Sequence, residues 1–300
     1  MLVMDVDHLR LFLAITRLRA MSRAGLELGL SPATVSERVQ ALEAELGARL
    51  FERHGRGVTL TAAGEAFRPY AERALDVLRQ GRDAITAAGE GGGRVTIAAT
   101  VTSGAYLLGP ALAEFQRRHP QTEVRVRSAH SWDAPGLLLD GLVDLALISG
   151  PNTHPALETA ASFSRLLALV ASRAHPRLGQ VLDAPALAHE AWIMSFWGPA
   201  ATHWIDRVRA VVPDPGPIQE LSPVELVKGM LVAGGAISLL PALAAQRELA
   251  SGDLVPLSLA SDVPALPAWE ITLIRRRSSP TTPAAAALAR LLREALGVTV

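Results

Sequence analysis

The chain of 300 residues contains no cysteine, one lysine (Lys228), no formal net charge, and aromatic residues at only 4%. Without cysteine there is no disulfide framework, no thiolate metal site and no cysteine nucleophile, and the composition suits a reducing compartment. Long apolar runs are missing too. Leu166–Ala171 is too short to cross a bilayer, and Leu137–Ile148 is broken by Asp140 and Asp144. Met1–Asp5 carries no basic segment ahead of an apolar stretch, so no secretory signal is read there. A cytoplasmic protein with no membrane partner is expected.

Catalytic signatures are equally scarce. There is no Gly-x-Ser-x-Gly elbow and no Walker loop, and His189-Glu190 has no second histidine four residues on. The eight histidines are scattered, none of them clustered with acids at metal-ligand spacing. Gly89-Glu90-Gly91-Gly92-Gly93 has no strand before it and no helix after it, which suits a flexible hinge better than a phosphate loop. The expectation is a protein with no catalytic residues, no metal and no cofactor, hence not an enzyme. What is present supports a sizeable core: hydrophobic residues make up 49% and charged residues 19%, and the length favours two or more domains.

The most informative stretch is Ser22 to Gly64. Leu9, Phe12, Leu13 and Thr16 precede it at helical spacing, with Asp5 and Asp7 at the positive end of that helix. A second helix is predicted to start with Ser22 as N-cap, to bury Ala24, Leu26 and Leu28, and to end at Gly29. A third is predicted from Ser31 as cap with Pro32 at the first helical position, burying Val35, Val39, Leu42 and Leu46. Its opposite face presents Thr34, Ser36, Glu37, Arg38 and Ala41, small and polar groups that allow a close approach to base edges. Arg49 to Thr61 reads as a hairpin, or wing, with Arg53 and Arg56 free to reach phosphates or a minor groove. Two helices around a tight turn followed by an arginine-framed wing form a helix-turn-helix, whose second helix enters a major groove. Asp5–Gly64 holds eight arginines against seven acids, so any basic footprint must come from which face the arginines occupy.

Residues 5–64 resemble the winged helix-turn-helix of the LysR-type transcriptional regulators. The matching residues include Ser22-Arg23-Ala24, Leu30-Ser31, Val35-Ser36, Leu46-Gly47, Leu50-Phe51, Arg53, Arg56 and Ala63-Gly64. The resemblance implies double-stranded DNA as partner, with Ser22, Arg23, Ser31, Thr34, Ser36, Glu37, Arg38, Arg53 and Arg56 as candidate contacts. This chain departs from the pattern at Pro32, where many relatives carry Gln, and at Glu37, where many carry Arg or Lys. Glu37 must therefore face a base donor such as cytosine N4–H or point away from DNA.

Thr61 is a plausible cap for a helix from Ala62 to about Ala88, with a kink or a start near Pro69. Phe67, Tyr70, Ala74, Leu78 and Ile85, with Ala71 and Leu75 alongside, form an apolar seam between charges of alternating sign. Such a helix has no core of its own and wants a partner helix. By the family resemblance it is a dimerisation linker in a homodimer or homotetramer.

Beyond the hinge, strands and helices alternate, which implies parallel sheets. Strands are predicted at 95–99, 123–127, 145–149, 166–171, 192–195, 218–221, 237–240, 254–257 and 269–275, and helices at 106–118, 135–142 and 283–296. Further fragments resemble the family's effector domain, among them Leu107-Leu108-Gly109-Pro110, Leu139-Asp140-Gly141-Leu142-Val143-Asp144 and Ile237-Ser238-Leu239-Leu240-Pro241. The implied fold is an α/β effector domain of two lobes, of periplasmic-binding-protein type II, behind an all-α winged helix-turn-helix and a long linker helix. The implied boundaries are 1–61, 62–93 and 94–300, with lobe I at 94–163 and 266–300 and lobe II at 164–265.

Open parallel sheets bind ligands at the carboxyl ends of their strands, where helix N-termini present N–H groups. That rule selects Thr100, Thr102 and Ser103 after the first strand, Ser128, His130, Ser131 and Trp132 after the second, and Ser149 after the third. In the other lobe it selects Ser195, Phe196, Trp197 and Gly198. Hydroxyls and N–H groups suit an anion or polar metabolite, and the tryptophans suit a flat or apolar body. The expected function is a ligand-responsive DNA-binding regulator acting on promoters as an oligomer, with a small-molecule effector and RNA polymerase as a candidate further partner. The alternatives are a ligand-independent architectural DNA protein and a solute-binding or enzymatic α/β protein.

Overall fold

The computed structural model describes residues 4–54, 57–90, 93–277 and 281–297. They form two compact units, Met1–Glu90 with Asp140–Leu142, and Gly91–Leu139 with Val143–Val300.

The first unit opens with α1 (Val6–Leu18), α2 (Met21–Leu28) and α3 (Pro32–Leu46). Asp5 caps α1 by accepting from the Asp7 and His8 amides. α2 starts one residue before Ser22. Its N-cap position is Ala20 and makes no side-chain cap, so Ser22 is an exposed residue inside the first turn rather than the predicted cap. The buried side of α2 also differs from the prediction. Met21, Ala24, Gly25 and Leu28 face inward at the i, i+3, i+4, i+7 spacing of a helix, whereas Leu26 is 85% exposed. A Cβ at Gly25 would lie 2.9 Å from Val35 Cγ2 and 3.0 Å from the Leu30 carbonyl, so a bare backbone is what lets α2 settle on α3. Gly29 turns the chain in the left-handed region at φ 67°.

Ser31 caps α3 as expected, its hydroxyl accepting from the Thr34 amide at 3.2 Å, with Pro32 in the first turn. Val35, Val39 and Leu42 are buried; Leu46, the last helical residue and the fourth predicted core position, is 37% exposed, and Leu50 fills the core after the chain turns at Gly47. β1 (Phe51–His54) and β2 (Gly57–Leu60) pair antiparallel as the wing, with Arg53 opposite Val58. Phe12 packs against Phe51 and Phe67 at ring distances of 5.3 and 5.1 Å, which ties wing and linker helix to α1.

α4 spans Ala62–Glu90 and continues through Pro69. Thr61 caps it, its hydroxyl accepting from the Gly64 amide at 3.0 Å. The predicted single seam is two faces. Phe67, Ala71, Ala74 and Leu75 pack on this unit's own core, while Tyr70 (67% exposed), Val77 and Leu78 point to solvent. Ile85, the last predicted member, has its side chain outside the described residues.

The second unit opens with β3 (Gly93–Ala99), α5 (Val101–Ser103), a π-helical turn (Gly104–Leu108) and α6 (Gly109–Arg118). The first effector helix thus starts at Val101 rather than at the predicted Tyr106. β4 (Thr122–Ser128), α7 (Ala134–Leu139), β5 (Leu145–Ser149) and β6 (Leu157–Ser172) follow. The second lobe contains β7 (Val181–Leu182), α8 (Ala184–Ala188), β8 (Trp192–Met194), α9 (Pro199–Arg209), β9 (Ile218–Glu220) and α10 (Val224–Ala233). It continues through β10 (Ile237–Pro241), α11 (Gln246–Ser251), β11 (Leu254–Pro256) and β12 (Ser258–Leu259). β13 (Ala268–Arg276) then returns to the first lobe, and α12 (Pro283–Leu296), capped by Thr282, closes the fold where a helix was predicted.

The main sheet has the order β4-β3-β5-β13-β6-β10-β8-β9, with β11 also on β6. It is mixed rather than parallel: β3, β4 and β5 run parallel, as do β8, β9 and β10, but β13 is antiparallel to both β5 and β6, and β10 is antiparallel to β6. The reason is connectivity: β6 runs on out of the first lobe and meets the second lobe's strands in the opposite sense, and β13 returns to the first lobe against the direction of β5 and β6. β6 is the joint. Leu157–Leu166 pairs with β13 in the first lobe, and Leu167–Ala171 with β10 in the second. Only 166–171 had been expected as strand. β5 is buried along its whole length because α6 and α12 cover one face of its sheet and α7 the other.

Candidate nucleic-acid interface and effector cleft

In the first unit, the burial of Val35, Val39 and Leu42 turns the remaining sides of α3 outward. Ser31, Glu37 and Ala41 are exposed, and Thr34, Ser36 and Arg38 are half-buried at the same surface. Ser22 and Arg23 are exposed on α2. Two of these groups already have partners. The Ser31 and Thr34 hydroxyls lie 2.9 Å apart, and Arg38 Nη1 sits 3.6 Å from Asp7 Oδ2, which holds the guanidinium near α1. Asp7 also pairs with Arg10 at 3.4 Å. The Arg53 side chain and the whole of Arg56 lie outside the described residues. Asp7 was not among the predicted contacts; its only sequence signal was an acid in a first helical turn.

The second unit has a cleft of about 810 Å³ where the first lobe meets the second. Loops after β3 and β4 form one wall, and segments after β8 and β9 form the other, at the carboxyl ends of parallel strands as the fold rule requires. Thr100, Thr102, Ser128, Ser131 and Trp132 line the first wall, and Ser195, Phe196 and Trp197 the second. Thr100 also caps α5, accepting from the Ser103 amide at 3.1 Å. Ser131 Oγ accepts from the Ser149 amide at 2.9 Å, fixing the loop. Trp132 is 62% exposed, stacked under His130 at 4.5 Å and edge-on to Phe196 at 5.9 Å across the cleft.

Three predicted residues do not line the cleft. Ser103 is fully buried, its hydroxyl 2.9 Å from that of Thr100. Ser149 is buried and accepts from Trp269 Nε1 at 2.9 Å. Gly198 backs onto the first lobe, where an added Cβ would lie 3.3 Å from the Gly150 nitrogen. Trp197 is mostly core, donating to the Leu239 carbonyl at 2.7 Å and meeting Trp269 edge-on. His130 lines the cleft as expected, and so do Arg127, Asp133 and Glu220, which the sequence reading did not select. Each lies at or just beyond the carboxyl end of a strand, so the fold rule that selected Ser128 would have reached them.

Beside the cleft, Lys228 of α10 is buried and paired with Glu225 at 3.0 Å and Glu248 at 3.1 Å. Its ammonium also donates to Tyr106 Oη at 3.1 Å and to the Ala244 carbonyl at 3.0 Å. Tyr106, in the π-helical turn, donates to Glu225, so this cluster joins the two lobes. Among the described residues no group of three or more His, Cys, Asp or Glu is placed to hold a metal ion, and no helix is long and apolar enough to cross a membrane.

The comparisons with known proteins agree with this geometry. Residues 6–65 match the model for the bacterial regulatory helix-turn-helix protein of the lysR family, and residues 88–297 match the LysR substrate binding domain. The HTH-type transcriptional regulator YusT of Bacillus subtilis is 30% identical over 251 residues, covering 84% of this chain and 83% of YusT. The HTH-type transcriptional activator IlvY of Salmonella typhimurium is 29% identical over 245 residues, covering 79% of this chain and 82% of its own. Among solved structures, CbnR in complex with its target DNA superposes with a TM-score of 0.72 at 24% identity, over 97% of this chain and 100% of CbnR. Full-length OxyR from Pseudomonas aeruginosa gives 0.69 at 23%, over 98% and 96%. At that identity both likenesses show the fold. The match to a substrate-binding domain leaves the ligand-independent architectural alternative without support. The chain belongs to the LysR family and is a DNA-binding transcriptional regulator in which a winged helix-turn-helix precedes a two-lobed effector-binding domain.

Proposed function

We propose that this regulator reads operator DNA with the outward side of α3, using Thr34, Ser36, Glu37 and Arg38, with Ser22, Arg23 and Ser31 near the backbone and Arg53 and Arg56 of the wing on phosphates or a minor groove. The observation that carries this reading is the orientation of α3: its capped N-terminus and small polar groups face solvent while Val35, Val39 and Leu42 anchor the other side. Tyr70, Val77 and Leu78 on α4 supply a face for a second copy, which would set two reading heads on half-sites about one DNA turn (~34–36 Å) apart. A homodimer or homotetramer follows, acting in the cytoplasm, with RNA polymerase as a further contact. A small-molecule effector in the cleft between the lobes would change lobe closure and so the spacing of the heads. Nothing in this reading calls for catalysis, a metal or a cofactor.

Fluorescence anisotropy of the full chain with a partly palindromic, A·T-containing promoter duplex tests the DNA step. Binding that weakens linearly in log K against log salt is expected. Absent binding at low ionic strength, or binding indifferent to salt, would overturn it.

A further inference from the structure

The inference deepens the effector reading of the cleft and rests on it. Three charged side chains line this cleft: Arg127 and Asp133 from the first lobe and Glu220 from the second. All three are exposed, and none makes an ion pair or side-chain hydrogen bond among the described residues. In the open cleft, water satisfies them. A ligand that fills the space removes that water, and each charge then needs a counter-charge. A simple anion would answer Arg127 but leave Glu220 and Asp133 facing a like charge, and a simple cation would do the reverse.

The aromatic groups define the rest. His130 lies parallel to Trp132 with an interplanar angle of 6°, which covers one face of the indole. Trp132 is still 62% exposed, and Phe196 meets it from the opposite lobe at 70°. A flat apolar body held there would touch both lobes at once, and aromatic faces prefer such offset or edge-on partners.

We propose that the cleft takes a small zwitterion with a flat apolar body, in chemical class an aromatic α-amino acid. Its carboxylate meets Arg127, its ammonium meets Glu220 with Asp133 nearby, and its ring packs beside the edge-on Trp132–Phe196 pair, on the indole surface that pair leaves open. Because the two charges are answered from opposite lobes, such a ligand draws the lobes together, which an ion of one sign would not.

The test titrates the full chain with L-phenylalanine, 3-phenylpropanoate and 2-phenylethylamine, read by intrinsic tryptophan fluorescence. L-phenylalanine is expected to bind, and each single-charge analogue to bind about tenfold more weakly or worse. Glu220→Gln should weaken L-phenylalanine and tighten 3-phenylpropanoate, which no longer faces that like charge, and so narrow the gap between them. Arg127→Gln should narrow the gap to 2-phenylethylamine in the same way. The inference is overturned if either analogue matches L-phenylalanine, or if none of the three gives a saturable response. It is equally overturned if both variants leave both gaps unchanged, as they would were Arg127 and Glu220 merely to pair with each other. The effector reading of the cleft fails on a different result: a ligand response retained in full by Ser128→Trp, which fills the cleft.

Discussion

Replacing Lys228 by methionine keeps the length and apolar bulk of the side chain and removes only the ammonium. That group serves four partners at 3.0–3.1 Å: Glu225, Glu248, Tyr106 and the Ala244 carbonyl. They do not suffer equally from its loss. Glu225 has a side chain 60% exposed and keeps its hydrogen bond from Tyr106, so water and the phenol compensate most of its charge, and the cost there stays below about 1 kcal/mol. Glu248 is only 18% exposed, and its Oε2 has no partner even with Lys228 in place. Stripping the partner from a buried carboxylate costs about 3–5 kcal/mol, and partial exposure places Glu248 at the lower end. The expected loss is ~3 kcal/mol, or about 6–12 °C in the melting temperature of a domain this size. Differential scanning calorimetry of the full chain measures it. Replacing Glu248 as well, in Lys228→Met/Glu248→Leu, should recover most of the loss, because the stranded charge is then gone. A single variant within about 0.5 kcal/mol of the parent, or a double variant worse than the single, refutes the reasoning. The pH dependence is fixed by sign. Burial opposes the charge on Lys228, but hydrogen bonds to Tyr106, Glu225 and Glu248 outweigh it and hold the ammonium above the ordinary lysine range. A raised lysine contributes its full stability below the unfolded-state value and loses it as pH rises through the folded value. The gap between parent and variant should therefore be flat through neutral pH and close only in strong alkali.

Gly25→Ala forces a methyl against Val35 Cγ2 and the Leu30 carbonyl, and should destabilise the reading head by about 1–3 kcal/mol, measured by urea unfolding. Leu78→Glu places a charge on the solvent-facing side of α4 and should shift the assembly toward monomer in analytical ultracentrifugation, with no comparable loss of melting temperature. Arg38→Ala should weaken specific operator binding by about 1–3 kcal/mol in anisotropy titrations, whereas Arg56→Ala should weaken all sequences alike and reduce the salt slope by about one.

The reading of the sequence succeeded where local chemistry decides the outcome. Ser31-Pro32 and Thr282-Pro283 each place a hydroxyl cap ahead of a proline in the first turn, and both helices start there. It failed where the third dimension decides. Leu26 looked like core because it alternates with Ala24 and Leu28, but alternation is the period of a strand, and on α2 it turns that leucine to solvent. The helices of the second lobe were missed because α8 is five residues of alanine, proline and leucine and α10 carries apolar residues on every side. The first half of β6 was missed because Leu157–Arg165 mixes small and polar residues between buried Leu157, Ala161 and Phe163. The cleft was legible in outline from hydroxyls after strands. Arg127 and Glu220 lay within reach of the same strand-end rule, but the reading stopped at hydroxyls and aromatic rings, and only the fold brings the two lobes' ends together.

β6 changes sheets between Leu166 and Leu167 without a spare residue, one ladder ending where the next begins. A segment joined in that manner behaves as a torsion bar. Any rotation of one half against the other must be stored as distributed twist along a hydrogen-bonded ribbon, and the ribbon pushes back. Turning one half against the other would therefore meet resistance along the whole ribbon rather than at a single joint.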